Sequence, residues 1–202
     1  MMLVWKASAR LSRARAERRR ARRERGAVAI EAALLTPLLI LLFFGIIEFG
    51  MLFKDYLAVT SSVRAGARMA SAEPRVSSFG ADAVAQVAKE GTAIDMGSVD
   101  ELWVYKAAAS GYPVGSNGSS FNACSSCIKY HWNSGTKKFD AYSTTWTSTQ
   151  QNACSGDANH DSIGVYMKFT YQGVTGLIFN EMPLEEHTVM SLEPIPTTKT
   201  CK

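Results

Sequence analysis

The chain has 202 residues, a length that accommodates one modest domain with extensions. It carries 22 Lys and Arg against 18 Asp and Glu, but residues 1–26 hold ten of the basic residues and only two of the acidic ones. The first 26 residues therefore have a net charge of +8 and the remainder −4. Basic residues placed directly before an apolar segment are typical of a cytoplasmic anchor, so this pattern argues against nucleic acid as a partner.

The apolar segment that follows covers residues 27–53 and is interrupted only by Glu31, Thr36 and Glu48. At ~1.5 Å per helical residue it reaches about 40 Å, more than the roughly 30 Å of a bilayer core. No small-residue cleavage site closes it, which favours a retained membrane helix over a cleaved signal peptide. The sequence thus predicts a basic cytoplasmic leader (residues 1–26), a transmembrane helix (27–53) and an extracytoplasmic domain (54–202).

The helix is expected to continue beyond the membrane to about residue 72, where Pro74 provides a break. Along this continuation Ala58, Ser62, Gly66 and Ala70 recur every four residues. Small side chains at this spacing form one ridge and allow another backbone to approach closely. We therefore expect this ridge to pack against a second element of the domain.

The rest of the chain predicts a small sheet with long loops. A second helix is expected over residues 80–90, and strands over 100–107, 127–132, 162–171 and 187–192. Residues 108–126 are rich in Gly, Ser and Asn and predict a loop, and residues 133–160 are expected to be irregular. The predicted fold class is α+β: a long N-terminal transmembrane helix that continues into a small exported domain with a short antiparallel sheet.

Four cysteines (Cys124, Cys127, Cys154 and Cys201) lie after the membrane segment. An even number in an exported, loop-rich domain favours disulfides. A zinc site lacks a second Cys-x-x-Cys pair and a suitable histidine spacing. Three pairings are possible if both bonds form; we expect Cys154 to pair with Cys124 or Cys127, and Cys201 to tie down the C-terminal tail.

Asp157, Asn159 and Asp161 alternate like the first ligands of a calcium loop. Ser162 stands where that loop needs glycine and Lys168 where it needs glutamate, so the sequence favours a turn with side-chain caps on backbone amides. No nucleophile–base pair, phosphate loop or metal-ligand spacing is present. The sequence therefore predicts neither an enzyme, nor a metal, nor a cofactor.

The segment from Gly26 to Glu31 carries the most specific pattern: a basic leader, a glycine, and a glutamate at the fifth position of the apolar run. With Pro37 in the apolar run, Glu48 before Phe-Gly and the small-residue stalk, it resembles the TadE-like family of pseudopilins, minor components of the tight-adherence (Tad/Flp, type IVc) pilus. The resemblance covers residues 25–72 well. It implies a bacterial cytoplasmic membrane protein with its N-terminus in the cytoplasm.

The resemblance also implies roles for individual residues. A membrane-embedded prepilin peptidase would cleave between Gly26 and Ala27, and the new amine of Ala27 would pair with Glu31 of a neighbouring pilin or pseudopilin. The alternative for Glu31 is a carboxylate that only extends to the interface. Glu48 matches the family pattern, and it either reaches water or contacts a second pseudopilin during assembly.

Two functions follow as hypotheses. The favoured one is a structural or assembly component of a Tad/Flp-type pilus, processed by a prepilin peptidase. The second is a single-span anchored domain whose disulfide-closed loops bind an extracytoplasmic partner, with no pilus role.

Overall fold

The computed structural model describes the backbone of residues 2–157, 159–176, 178, 180–196 and 201, and the side chains of that set from residue 26 onward except Ala27. The chain forms two compact units, residues 1–47 and residues 48–202. The first unit is helical from Met2 to its end. The second unit is the α+β domain.

The first helix, α1, spans Met2–Ala72 and contains Pro37. Proline removes one backbone donor from the interior of a helix. Just before it, the Thr36 hydroxyl donates to the Ala32 carbonyl at 2.6 Å. The helix ends at Ala72, before Pro74, and this confirms the predicted end.

Five antiparallel strands form one sheet in the order β3-β2-β1-β4-β5. The predicted α+β class, with a long N-terminal helix and an antiparallel sheet, is confirmed. The remaining elements are α2 Phe79–Glu90, β1 Val99–Ala107, β2 Cys127–Asn133, β3 Lys138–Thr144, β4 Ser162–Gln172 and β5 Glu181–Ser191, with 3₁₀ turns at Met96–Ser98 and Ser148–Gln150.

Two strand predictions were wrong. Residues 133–160 were expected to be irregular, but they contain β3, an edge strand whose residue Phe139 is buried. β5 begins at Glu181, six residues before the predicted start, and includes Pro183. Proline is tolerated in a strand at the edge of a sheet, where its missing donor breaks no ladder.

One face of the sheet packs against the helices. Leu102 and Val104 of β1 and Val165 of β4 belong to the same buried cluster as residues of α1 and α2. In the sequence, every second residue of β4 from Ile163 to Tyr171 is apolar, which predicts one apolar face. This face is confirmed, since its residues are all buried in the cluster: Ile163, Val165, Met167, Phe169 and Tyr171.

The opposite face of the sheet carries a second, smaller aromatic cluster under the loop of residues 108–126. Phe121 of this loop stacks on Tyr166 at 3.7 Å between ring centroids. The Tyr105 hydroxyl donates to the Gly111 carbonyl at 2.9 Å. Tyr105 fits because Gly164 lies opposite it in β4, where any Cβ would collide with the tyrosine ring. Both faces of the sheet are therefore covered in part.

The small-residue ridge of α1 packs as predicted. Ser62 and Ala70 are fully buried, and Gly66 lies against α2. A Cβ at Gly66 would collide with the Val87 side chain and lie 3.1 Å from the Ala83 carbonyl oxygen. The absence of a side chain here sets the spacing between the two helices.

A Gly66→Ala chain is expected to unfold more easily, by about 1–3 kcal/mol, because the added methyl must push α1 and α2 apart. Thermal unfolding of the detergent-solubilised full chain measures the effect. Gly50→Ala is the matched control, since a Cβ there meets nothing within 4 Å. The control should be neutral or gain up to about 1 kcal/mol from reduced backbone freedom. Equal stability of the two variants would contradict close packing at Gly66.

Candidate functional site: two glutamates of one helix

Glu31 lies in the helical first unit, five residues after Gly26. Its side chain is exposed, and so are those of its apolar neighbours Val28, Ile30 and Leu34. A Cβ at Gly26 would meet nothing within 4 Å, so the segment around the predicted cleavage position is open on this side. The side chain of Ala27 lies outside the described residues.

Glu48 is the first residue of the second unit, and its surroundings are the reverse of those of Glu31. The side chain is completely buried. Oε1 accepts from the backbone N–H of Val174 at 2.9 Å. Oε2 accepts from the backbone N–H of Thr175 at 2.9 Å and from its hydroxyl at 2.7 Å. Both carboxylate oxygens are thus bound by the turn between β4 and β5.

The backbone of this turn leaves the N–H groups of Val174 and Thr175 outside the strand pairing. Gly173 donates its N–H to the Asn180 carbonyl at 2.9 Å, which closes the connection where β4 and β5 separate. Val174 and Thr175 follow directly, so their amides lie outside the strand ladder and can donate to Glu48. We call Glu48 with Val174 and Thr175 the Glu48 clasp.

Tyr171, at the end of β4, completes the clasp from the side. Its hydroxyl lies 3.5 Å from Oε1 and 3.4 Å from the Glu48 carbonyl oxygen, both long hydrogen bonds. Burial, followed by the nearby charges of Glu48 and Asp55, raises the pKa of the Tyr171 hydroxyl. The phenol therefore stays protonated and acts as a donor.

The Glu48 clasp rules out one of the two alternatives predicted for Glu48. The expectation that Glu48 reaches water is wrong, because the carboxylate is buried against its own domain. A contact of Glu48 with a second pseudopilin stays a prediction. The sequence contains only a weak signal for the clasp. A charged residue within an apolar run indicates that it has a partner, but the donors lie more than 120 residues away along the chain, so the sequence does not identify them.

The four cysteines form two disulfides, Cys124–Cys127 and Cys154–Cys201. Disulfides are confirmed, but the expected pairing of Cys154 with Cys124 or Cys127 was wrong. Cys154 pairs with Cys201 because the C-terminal tail runs beside it. The Ser155 N–H donates to the Ile195 carbonyl at 2.8 Å, which holds the tail next to Cys154. Cys201 ties down the C-terminal tail, as expected.

The side chains of Asp157 and Asp161 accept hydrogen bonds from backbone N–H groups just before β4. Asp157 Oδ1 accepts from the Asn159 N–H at 3.0 Å. Asp161 accepts from the Asn152 N–H at 2.9 Å and pairs with Lys106 at 2.7 Å. The predicted side-chain caps are confirmed, and within the described part of the chain no group of three His, Cys, Asp or Glu residues is placed to hold a metal ion.

The fold and these two glutamates define a class of protein: a small α+β domain with one helix that fits a single-pass membrane anchor. Among the described residues, one helical stretch, Val28–Ala72, is long and apolar enough to contain a membrane span. Residues 26–68 match the family model described as TadE-like protein, and this confirms the resemblance drawn from the sequence. Comparisons with curated proteins and with solved structures gave no match.

Proposed function

We propose that this chain is a pseudopilin, a minor pilin of a Tad/Flp-type pilus system, with a structural or assembly role and no enzymatic one. The observation that carries the proposal is the TadE-like match over residues 26–68, which contains both the exposed apolar helix and Glu31. The family is associated with the Tad pilus and implies membrane association and pilin partners. In this proposal the apolar segment of residues 27–53 contains the span of the cytoplasmic membrane, and the domain lies outside.

Maturation by a prepilin peptidase is the first step of the proposed role. Cleavage between Gly26 and Ala27 would remove the leader of charge +8 and leave an ammonium group on Ala27. A glycine suits the cleavage position because its backbone can become extended inside a narrow active site. The open surroundings of Gly26 support access to this bond.

Register between subunits is the second step. The new ammonium group of one subunit would pair with Glu31 of its neighbour, since a carboxylate in lipid is costly without a partner. The exposure of Glu31 supports this assignment, because its carboxylate is available to another chain. Glu48 is less suited to it, since both of its oxygens already accept hydrogen bonds.

Mass analysis of the N-terminus tests the maturation step. In cells that assemble the pilus, the membrane form of the chain should begin at Ala27. A Gly26→Ile chain should keep its leader, because a bulky branched side chain does not fit a narrow active site, while the Gly50→Ala control should be processed normally. A wild-type chain that retains its leader in piliated cells would contradict the proposal and leave the anchored binding domain as the better hypothesis.

A further inference from the structure

The turn between β4 and β5 carries exposed apolar side chains. Val174 and Ile178 are both exposed, and 60% of the Val174 surface is open. In the sequence, Leu177 and Phe179 flank Ile178, and no charged residue stands between Lys168 and Glu181. Apolar side chains exposed together on one turn indicate a contact surface. We call Val174 and Ile178 the apolar tip.

The Glu48 clasp sets the level of the apolar tip along α1. The Val174 N–H donates to the Glu48 carboxylate at 2.9 Å, so the tip lies at the level of Glu48. Beyond Glu48 the apolar run of α1 continues to Phe53, whose side chain is 60% exposed. The five helical residues from Glu48 to Phe53 rise about 8 Å, so the tip lies about that far inside the end of the apolar run.

The rest of the hairpin extends away from this level. The Tyr56 hydroxyl, eight residues beyond Glu48 on α1, donates to Glu186 of β5 at 3.2 Å. Since Glu48 contacts the turn and Tyr56 contacts β5, α1 and β5 run side by side away from the turn. The apolar tip is therefore at the end of the hairpin that faces the apolar run.

Polar side chains follow the apolar ones on both elements. On α1, Lys54 and Asp55 come directly after Phe53 and form an ion pair at 3.2 Å. On the hairpin, the Gln172 amide donates to the Glu181 carboxylate at 3.3 Å, where the pairing of β4 and β5 ends. A change from apolar to polar at the end of both elements is the pattern expected where a structure leaves a membrane.

We propose that the apolar tip enters the headgroup–acyl boundary of the membrane, on the side from which α1 emerges. Continuity selects the bilayer as the partner, because Met51 and Phe53 are exposed and belong to the apolar run that contains the span. An interfacial element of this kind is buried by about 5–10 Å, which matches the level of the tip.

The clasp makes this position affordable for a turn. A backbone N–H without a partner is costly in lipid, and the Val174 and Thr175 N–H groups donate to Glu48 instead. Helix and turn would then attach the domain to the bilayer at two points and hold it in one orientation. This inference rests on the membrane span in the proposed function, but not on leader cleavage or on a pilus.

Fluorescence quenching by lipid tests the contact. The full chain with both disulfides formed is reconstituted at one copy per phosphatidylcholine nanodisc, with a nitroxide on the upper acyl chain of some lipids. The dye NBD is attached to an Ile178→Cys chain or, as the control, to an Ala109→Cys chain. Ala109 is exposed and follows the end of β1 that pairs with the start of β4, at the other end of the sheet. Quenching at position 178 should exceed quenching at position 109 by at least about threefold.

Substitutions at Val174 test whether the tip itself makes the contact. Val174→Asp should lower the quenching of the Ile178→Cys dye to the level of the Ala109→Cys dye, because a carboxylate opposes entry into lipid. Val174→Asn adds no charge beside Glu48 and should give an intermediate value, which keeps the test valid if the aspartate disturbs folding. Val76→Asp is the matched control and should change nothing, since this exposed valine follows the end of α1, about 36 Å along the helix from Glu48.

A dye in the span separates failure of this inference from failure of the proposed function. Ile46 is exposed and lies in the apolar run two residues before Glu48. Quenching of an Ile46→Cys dye without quenching at position 178 would overturn the inference and leave the span intact, whereas no quenching at either position would refute both. A dye at position 178 that aqueous iodide cannot reach and nitroxide lipid does not quench would be covered by protein, which also overturns the inference. So would undiminished quenching in both Val174 variants.

Discussion

A Glu31→Ala chain is expected to insert and fold normally but to fail in pilus assembly. Under the proposed function, the Glu31→Ala substitution removes the carboxylate that pairs with the ammonium group on Ala27 of the neighbouring subunit. That ammonium group then lies in lipid without a counter-charge. Removing one partner of a buried ion pair is far more costly than removing both, so the number of assembled fibres should drop by roughly a hundredfold or more. The domain itself should be unaffected, because Glu31 lies outside the unit formed by residues 48–202.

Electron microscopy of surface fibres, together with thermal unfolding of the membrane-extracted chain, measures both parts of this result. Glu31→Asp is the matched variant: it keeps the charge and should retain part of the assembly. Thr36→Ala removes a polar group from the same helix without changing its charge and should have little effect. Normal fibre numbers in the Glu31→Ala strain would refute the role of this carboxylate.

A Glu48→Ala chain is expected to show the opposite pattern, a domain that unfolds several degrees earlier. The substitution removes the carboxylate that accepts hydrogen bonds from the amides of Val174 and Thr175, and it opens a cavity in its place. Loss of hydrogen bonds to a charged acceptor, together with the cavity, destabilises the folded domain. The loss should be concentrated at the turn between β4 and β5.

Hydrogen exchange at Val174 and Thr175, with thermal unfolding of the full chain, would locate and measure the defect. Glu48→Gln keeps one acceptor oxygen and should fall between wild type and alanine. Glu193→Ala, which removes an exposed carboxylate, is the control and should leave stability unchanged. Unaltered exchange at the two amides in the Glu48→Ala chain would show that the clasp does not hold the turn.

Local patterns predicted much of the fold. The end of α1 followed from Pro74, the inner face of β4 from strict alternation, and the packing of Gly66 from its four-residue spacing. Each of these features depends on periodicity or on the chemistry of one residue, both of which are visible in a short window of sequence. The TadE-like match rests on the same kind of local signal, since it covers a single continuous stretch.

The missed features depend on contacts between distant parts of the chain. β3 has a weak apolar pattern and forms by pairing with β2, which the sequence alone does not announce. Cys154 meets Cys201 because the tail returns to residues 153–155, a path that cysteine spacing cannot indicate. The Glu48 clasp likewise needs the position of a turn far along the chain. These three features depend on which strands pair and on where the loops run, and neither can be read from local composition.

The loop over the sheet's aromatic face has a practical consequence. Phe121 packs the loop of residues 108–126 onto the sheet. Asn117 at the tip of the loop is exposed, and its side chain accepts hydrogen bonds from Ser119 and Ser120 within the loop. Such self-contained tips tolerate insertions well. A short epitope placed beside Asn117 would therefore leave the hydrophobic interior untouched. Antibody staining of intact and permeabilised cells would then establish on which side of the envelope this part of the molecule resides.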